Sequence, residues 1–99
     1  MTKNELKRFI KRVAVHKLNN DWLHIRCAAF SMVAFEGYKM SFAEIDLIAQ
    51  MAQIIVDDIK AQELPTNVQF SVDDDDIVAY KCTQRKNKPN EVIWLKVVA

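Results

Sequence analysis

Apolar and polar positions alternate with the period of an α-helix over the first two thirds of the chain. This pattern predicts three helices, over about residues 3–17, 21–36 and 41–63. Two capping boxes, Thr2 with Glu5 and Ser41 with Glu44, open the first and third helices. Gly37, the only glycine, stands where the second helix needs a left-handed C-cap, and the third helix must stop before Pro65.

The second and third predicted helices differ in how much of their surface is apolar. The second is apolar on almost every side, which is typical of a buried helix. The third has one broad apolar stripe and, on the far side, a narrower stripe of Leu47, Met51 and Ile54. Two interpretations of the narrow stripe remain open. Either this helix is sandwiched between the other helices and a sheet, or the stripe is exposed and pairs with a second copy or a target protein.

After Pro65 the period changes to two, as in β-strands. The alternation predicts strands over about residues 67–72, 77–84 and 91–98, with Val78, Tyr80 and Cys82 on one face of the second strand. The predicted fold class is therefore α+β, with three N-terminal helices followed by a three-stranded antiparallel β-meander packed on them. At this length the chain, residues 1–99, is expected to form a single domain.

Charged residues are segregated into blocks although the total is only +1. Residues 1–35 carry seven Lys or Arg against two acids, and residues 36–63 carry six acids against two Lys. Four consecutive aspartates follow at 73–76, and a basic loop follows at 85–88. We expect part of this pattern to be complementarity between the basic first helix and the acidic third helix, with the aspartates and the loop at opposite ends of one strand.

No motif in the chain specifies a reaction. His16, His24, Cys27 and Cys82 are the whole His and Cys inventory and lack the paired spacing of a zinc module. The aspartate run lacks the spacing and the glycine of a calcium loop, and one glycine is too few for a phosphate-binding loop. The sequence therefore predicts no enzyme activity, no cofactor and no metal site.

Composition also bears on where the protein works. Two cysteines are too few for a disulfide framework, which favours a reducing compartment. The longest uncharged run, residues 47–56, is far shorter than the ~20 residues that span a bilayer, and charges interrupt any signal-peptide stretch. We expect a cytoplasmic protein with no membrane partner.

The leading functional prediction is a small non-enzymatic binding protein. It would act as a regulator or inhibitor by contact with a larger protein, in the manner of compact inhibitors encoded by phages or mobile elements. Homodimerisation is a further expectation of the exposed interpretation of the narrow stripe. The predicted partner-binding residues are those of the aspartate run and of the narrow stripe: Asp73, Asp74, Asp75, Asp76, Leu47, Met51 and Ile54.

The alternative prediction is a nucleic-acid-binding module. Clustered Lys and Arg suit phosphates, and an outward aromatic beside a basic loop can stack on a base. The third helix argues against a winged-helix DNA-binding domain, because it carries acidic residues where a recognition helix needs cations to face the phosphates. The residues of this alternative lie on the first helix, the basic loop and the last strand: Lys7, Arg8, Lys11, Arg12, Arg85, Lys86, Lys88 and Trp94.

Overall fold

The computed structural model describes residues 1–64, 68–81 and 91–94. The helices are α1 (Lys3–Leu18), α2 (Ile25–Glu36) and α3 (Phe42–Lys60). β1 (Val68–Asp73) and β2 (Asp76–Lys81) form an antiparallel pair, and a short β3 (Glu91–Trp94) runs antiparallel along β2. The predicted α+β chain, with three helices before an antiparallel sheet, is confirmed. The complete three-stranded meander stays a prediction, because the second half of its predicted third strand, residues 95–98, lies outside the described residues.

Local signals set the helix ends as the sequence predicts. In α1 the Thr2 hydroxyl accepts a hydrogen bond from the Glu5 amide at 3.1 Å, and the Glu5 carboxylate accepts one from the Thr2 amide at 3.3 Å. Ser41 and Glu44 form the same box on α3. Gly37 caps α2 with φ at 73°, and a Cβ built there would meet nothing within 4 Å. Backbone conformation, not space, therefore accounts for the glycine.

α1 lies between two apolar clusters and packs against α2, α3 and the hairpin of β1 and β2. Val13 and its neighbours join the helical cluster between α1, α2 and α3. Val15, on the other side of α1, joins a second cluster with the sheet residues Phe70, Ile77 and Ala79. Ile59, near the end of α3, also belongs to this second cluster. α1 is thus the wall that both clusters share.

α2 differs from the helix predicted over 21–36 in both its start and its burial. It begins at Ile25, because the preceding residues form a turn instead: Asn20 has φ at 58°, and the Asp21 carboxylate meets the His16 Nδ1 atom at 2.9 Å. The prediction of α2 as the buried helix is wrong. It fully buries only the side chains of Ala28, Ala29 and Val33. Ile25, Phe30 and Met32 are partly buried beside them, and the outer face of the helix is exposed.

The hairpin turn is two residues shorter than predicted, because each strand extends one residue further into the aspartate run. Asp73 pairs with Asp76, which leaves a two-residue turn in which Asp74 has φ at 54°. Aspartate tolerates this left-handed conformation. Phe70 lies opposite Ala79, and Ile77 and Ala79 share its face toward α1. Val78 and Tyr80 lie together on the other face of β2, and Cys82, predicted to share that face, lies outside the described residues.

Asn19, directly after α1, joins the helices to the sheet. Its Nδ2 group donates to the Phe70 carbonyl at 2.8 Å, and its Oδ1 atom accepts from the Phe70 amide at 2.7 Å. One side-chain amide thereby satisfies both backbone groups of Phe70, as a residue of a neighbouring strand would do. The contact is partly buried, so its donors and acceptors are costly to leave unpaired.

We predict that Asn19→Asp lowers the free energy of unfolding by about 1–3 kcal/mol. The carboxylate still accepts from the Phe70 amide, but it places an oxygen against the Phe70 carbonyl where a donor stood. Asn4→Asp, at an exposed position in the first turn of α1, is the matched control and should change stability little. Urea unfolding midpoints measure both variants. Equal midpoints for the two variants would contradict this role for Asn19.

Candidate interaction surface

The outer face of α3 carries three exposed apolar side chains. Leu47 is 58% exposed, Met51 48% and Ile54 68%, while the opposite face of α3 is buried against α1 and α2. Among the described residues, the helices cover only one side of α3 and leave this stripe exposed. Its pairing with a second copy or a target protein stays a prediction. We call Leu47, Met51 and Ile54 the α3 seam.

The α3 seam has the spacing of a coiled coil and an acid at each end. Glu44, Leu47, Met51, Ile54 and Asp58 follow one another at intervals of three, four, three and four residues, which keeps them in one line along the helix. At 1.5 Å per residue, the line from Glu44 to Asp58 is about 21 Å long. Both terminal carboxylates are exposed. The surface is therefore an apolar centre between two negative ends.

An apolar groove of about 530 Å³ runs beside the α3 seam, between α3 and the first half of α1. Tyr38 lies in its wall and packs edge-on against the buried Phe9 ring, with ring centroids 5.6 Å apart. Because Phe9 is buried in the helical cluster, its contact holds the Tyr38 ring in place at the wall of the groove. The apolar lining side chains are Met1, Leu6, Ile10, Tyr38, Met40, Leu47, Ile48 and Met51. The groove and the α3 seam thus form one continuous apolar surface.

The aspartate run lies against the basic face of α1. The Arg8 guanidinium pairs with the Asp75 carboxylate at 3.2 Å, and the Lys11 ammonium donates to the Asp75 carbonyl. Asp73, Asp74 and Asp76 are exposed beside them. Two residue sets predicted as separate binding surfaces are therefore neighbours. The expected complementarity between α1 and α3 is corrected by these contacts, because Arg8 and Lys11 of α1 contact the hairpin turn and Arg12 pairs with Glu36 of α2.

The other predicted nucleic-acid-binding residues lie in three places. Arg12 pairs with Glu36 of α2, and its guanidinium lies 5.6 Å from the centre of the Phe9 ring. Lys7 is exposed on α1. In β3 the backbone of Trp94 lies opposite Val78. The predicted basic-loop residues Arg85, Lys86 and Lys88 lie outside the described residues, so this surface as a whole stays a prediction.

The structure also reveals an exposed apolar side chain that the sequence analysis placed in a buried helix. Phe35 of α2 is 94% exposed and borders a shallow cleft of about 370 Å³ with Trp22 and Met32. The Arg12–Glu36 ion pair forms the polar side of this cleft. A helix that is apolar on every side gives no signal of which side its neighbours cover, so periodicity could not have found Phe35.

Comparisons with protein-family models, with curated proteins and with solved structures find no match to this chain. Within residues 1–64, 68–81 and 91–94, no three His, Cys, Asp or Glu side chains gather in a way that could hold a metal ion. None of the described helices is both long and apolar enough to cross a membrane. The geometry of the exposed surfaces therefore has to carry the functional argument.

We predict that Asp75→Asn lowers the free energy of unfolding by about 0.5 kcal/mol at low salt, because an exposed ion pair contributes little. The loss should shrink between about 20 mM and about 500 mM NaCl, where screening weakens the pair. Asp74→Asn is the matched control: it removes the same charge, and asparagine also tolerates the left-handed conformation. Urea midpoints at the two salt concentrations test this contact. An equal loss in both variants would show that the Arg8 contact adds nothing.

Proposed function

We propose that this domain is a small non-enzymatic binding protein that regulates or inhibits a larger protein by docking through the α3 seam. The observation that carries the proposal is the exposure of Leu47, Met51 and Ile54 in one line on a long helix. Contiguous exposed apolar side chains are uncommon on monomeric proteins and typically mark interaction sites. The adjoining groove enlarges the apolar surface available to a partner.

The remaining predicted partner-binding residues have a secondary place in this proposal. Asp75 is already engaged by Arg8 and Lys11, so a partner at the aspartate run would compete with a contact inside the chain. Asp73, Asp74 and Asp76 remain exposed and could add charge attraction at the end of the hairpin. The α3 seam involves no such competition. We therefore place the main contact on α3 and keep the aspartates as an accessory contact.

A protein partner is preferred over nucleic acid because of where the cations of α1 point. Arg8 and Arg12 pair with Asp75 and Glu36, so phosphate binding there would require these ion pairs to break.

The proposal includes where the protein works and where it comes from. We place it in the cytoplasm, because two cysteines are too few for a disulfide framework. We also propose that it is a compact inhibitor encoded by a phage or mobile element, on the basis of its size and the absence of catalytic motifs in the sequence.

Site-specific photocrosslinking in the native host tests the proposed docking surface. A photoreactive amino acid at Gln50, exposed on α3 beside the seam, should give a crosslinked adduct of defined mass. The same group at Gln69, exposed on β1, is the positional control. The adduct at Gln50 should disappear in the triple variant Leu47→Gln, Met51→Gln, Ile54→Gln. It should persist when all four aspartates of the turn become asparagine.

The triple variant should fold normally, because all three substitutions remove exposed apolar groups. An unchanged urea midpoint confirms that loss of the adduct reports loss of binding. An adduct of the same mass and yield in the triple variant would refute docking through the α3 seam. An adduct that depends on the aspartates alone would transfer the contact to the hairpin turn.

For the nucleic-acid alternative, we predict no mobility shift of a DNA duplex or a single-stranded RNA at about 150 mM salt. The reason is that Arg8 and Arg12 of α1 are paired within the chain. A shift that falls steeply with salt and is lost in Lys7→Ala combined with Arg8→Ala would favour the alternative. Asn4→Ala, at an exposed position on the same helix, is the control for nonspecific effects of substitution.

A further inference from the structure

We infer that the α3 seam binds an amphipathic α-helix of another protein that carries Lys or Arg about two turns to either side of its central apolar residue. This inference rests on the proposed function and specifies its partner. It follows from three features of the surface: the spacing of the seam residues, the carboxylates at the two ends, and the groove alongside.

The spacing of the seam residues favours a helical occupant. Alternating intervals of three and four residues are the repeat of a coiled coil, in which the side chains of two helices interlock along their shared line of contact. Leu47, Met51 and Ile54 supply such a line over two turns of α3. The groove toward α1 provides a second wall, so a docked helix would contact α3 on one side and Leu6, Ile10 and Tyr38 on the other.

The charges at the ends of the seam decide what kind of helix fits. Among the residues the structure describes, Glu44 and Asp58 form no ion pair with Lys or Arg. Asp57, next to Asp58, accepts a hydrogen bond from the Gln53 amide at 2.8 Å and adds a further negative charge. A partner helix aligned on Met51 therefore meets a carboxylate about 10 Å away in each direction along the axis.

Nearby cations cancel only part of this negative charge. Lys39 borders the groove on the side of Glu44. Lys60 is nine residues beyond Met51, which places it on the opposite side of α3 at 100° per residue. Asp46 pairs with Arg26 at 2.8 Å on the edge of α3 away from the groove. Three carboxylates, those of Glu44, Asp57 and Asp58, thus stand against one lysine. The surface is acidic on balance, most strongly at its Asp58 end, and a helix with basic ends would form ion pairs there.

A second copy of this chain is the poorer occupant. In an antiparallel pair of α3 helices centred on Met51, Leu47 would lie opposite Ile54, and Glu44 would lie opposite Asp58 at both ends. In a parallel pair each carboxylate would face its own copy. Either arrangement sets like charges against each other at the edges of an apolar contact, which disfavours the complex. The acidic ends therefore act against self-pairing and in favour of a basic partner.

The apolar and acidic parts of the surface have separate consequences for binding. Three seam side chains and one groove form a small interface, at the transient end of the range. Most of the affinity should come from the apolar centre, since truncating a central apolar anchor typically costs tenfold or more in affinity. The carboxylates should select among helices with similar apolar faces and should speed association.

Three synthetic helical peptides with the same apolar heptad residues test the inference against the full chain. Their flanking positions carry Lys, Gln or Glu, and fluorescence anisotropy measures their dissociation constants. At about 50 mM salt, the Lys peptide should bind at least ~10-fold more tightly than the Glu peptide, and the ratio should shrink at about 500 mM salt. The triple variant of the seam should weaken binding of all three peptides.

A charge-reversed chain provides the sharper comparison. Asp58→Lys combined with Glu44→Gln should abolish or reverse the preference for the Lys peptide. Gln at 44 still suits a capping box, so α3 should keep its start. Glu63→Lys combined with Glu44→Gln changes the net charge equally but places the lysine beyond the seam and keeps Asp58, so this control should retain the part of the preference that Asp58 supplies. If both double variants had the same effect, net charge alone would explain the selectivity, and the inference would be overturned.

Several other results would also overturn the inference while leaving the crosslinking result intact. These are equal or tighter binding of the Glu peptide, or no binding of the Lys peptide at about 1 mM. Sedimentation equilibrium of the chain alone should give a monomer. A dimer that the triple variant dissociates would identify a second copy as the occupant. Loss of the crosslinking result itself, by contrast, would remove the proposed function together with its specified partner.

Discussion

α1 has to bury two opposite faces, and the rest of the structure depends on this constraint. Val13 on one side packs against the other helices, and Val15 on the other side packs against the hairpin. Only part of its circumference remains for charged residues. That part meets the two acids that the neighbouring elements present, Asp75 of the hairpin and Glu36 of α2. The charge blocks along the sequence thus arise in large part because α1 has neighbours on most sides and can place its charged residues only on the face that remains.

The position of α1 also determines the exposure of α3. Because α1 holds both apolar clusters, α3 lies at the outside of the helical layer and needs only one buried face. The α3 seam, which is the second apolar stripe of this helix, is therefore not covered by α1 or α2. Such a stripe weakens solubility unless something limits self-association, and the carboxylates of Glu44 and Asp58 stand at its two ends. The same helix therefore combines an attractive centre with repulsive edges.

Much of the helical part could be predicted from the sequence, because capping boxes, Gly37 and the period of apolar residues are local signals. The α3 seam was found in this way, although its exposure depended on which helix lies at the centre. That choice could not be predicted, because the almost wholly apolar α2 looks more buried than the charged α1. The contact between Arg8 and Asp75 joins residues 67 positions apart. It depends on the two-residue turn of Asp74 and Asp75, and periodicity cannot count the residues in a turn.

Asn19 has a consequence beyond the joint it makes between α1 and β1. β1 is the edge strand of the sheet, and the exposed backbone of an edge strand is a template for pairing with another chain. By occupying both backbone groups of Phe70, the Asn19 amide interrupts that template in the middle of the strand. The residue that fixes the sheet to the helices thus also protects the protein from edge-to-edge aggregation.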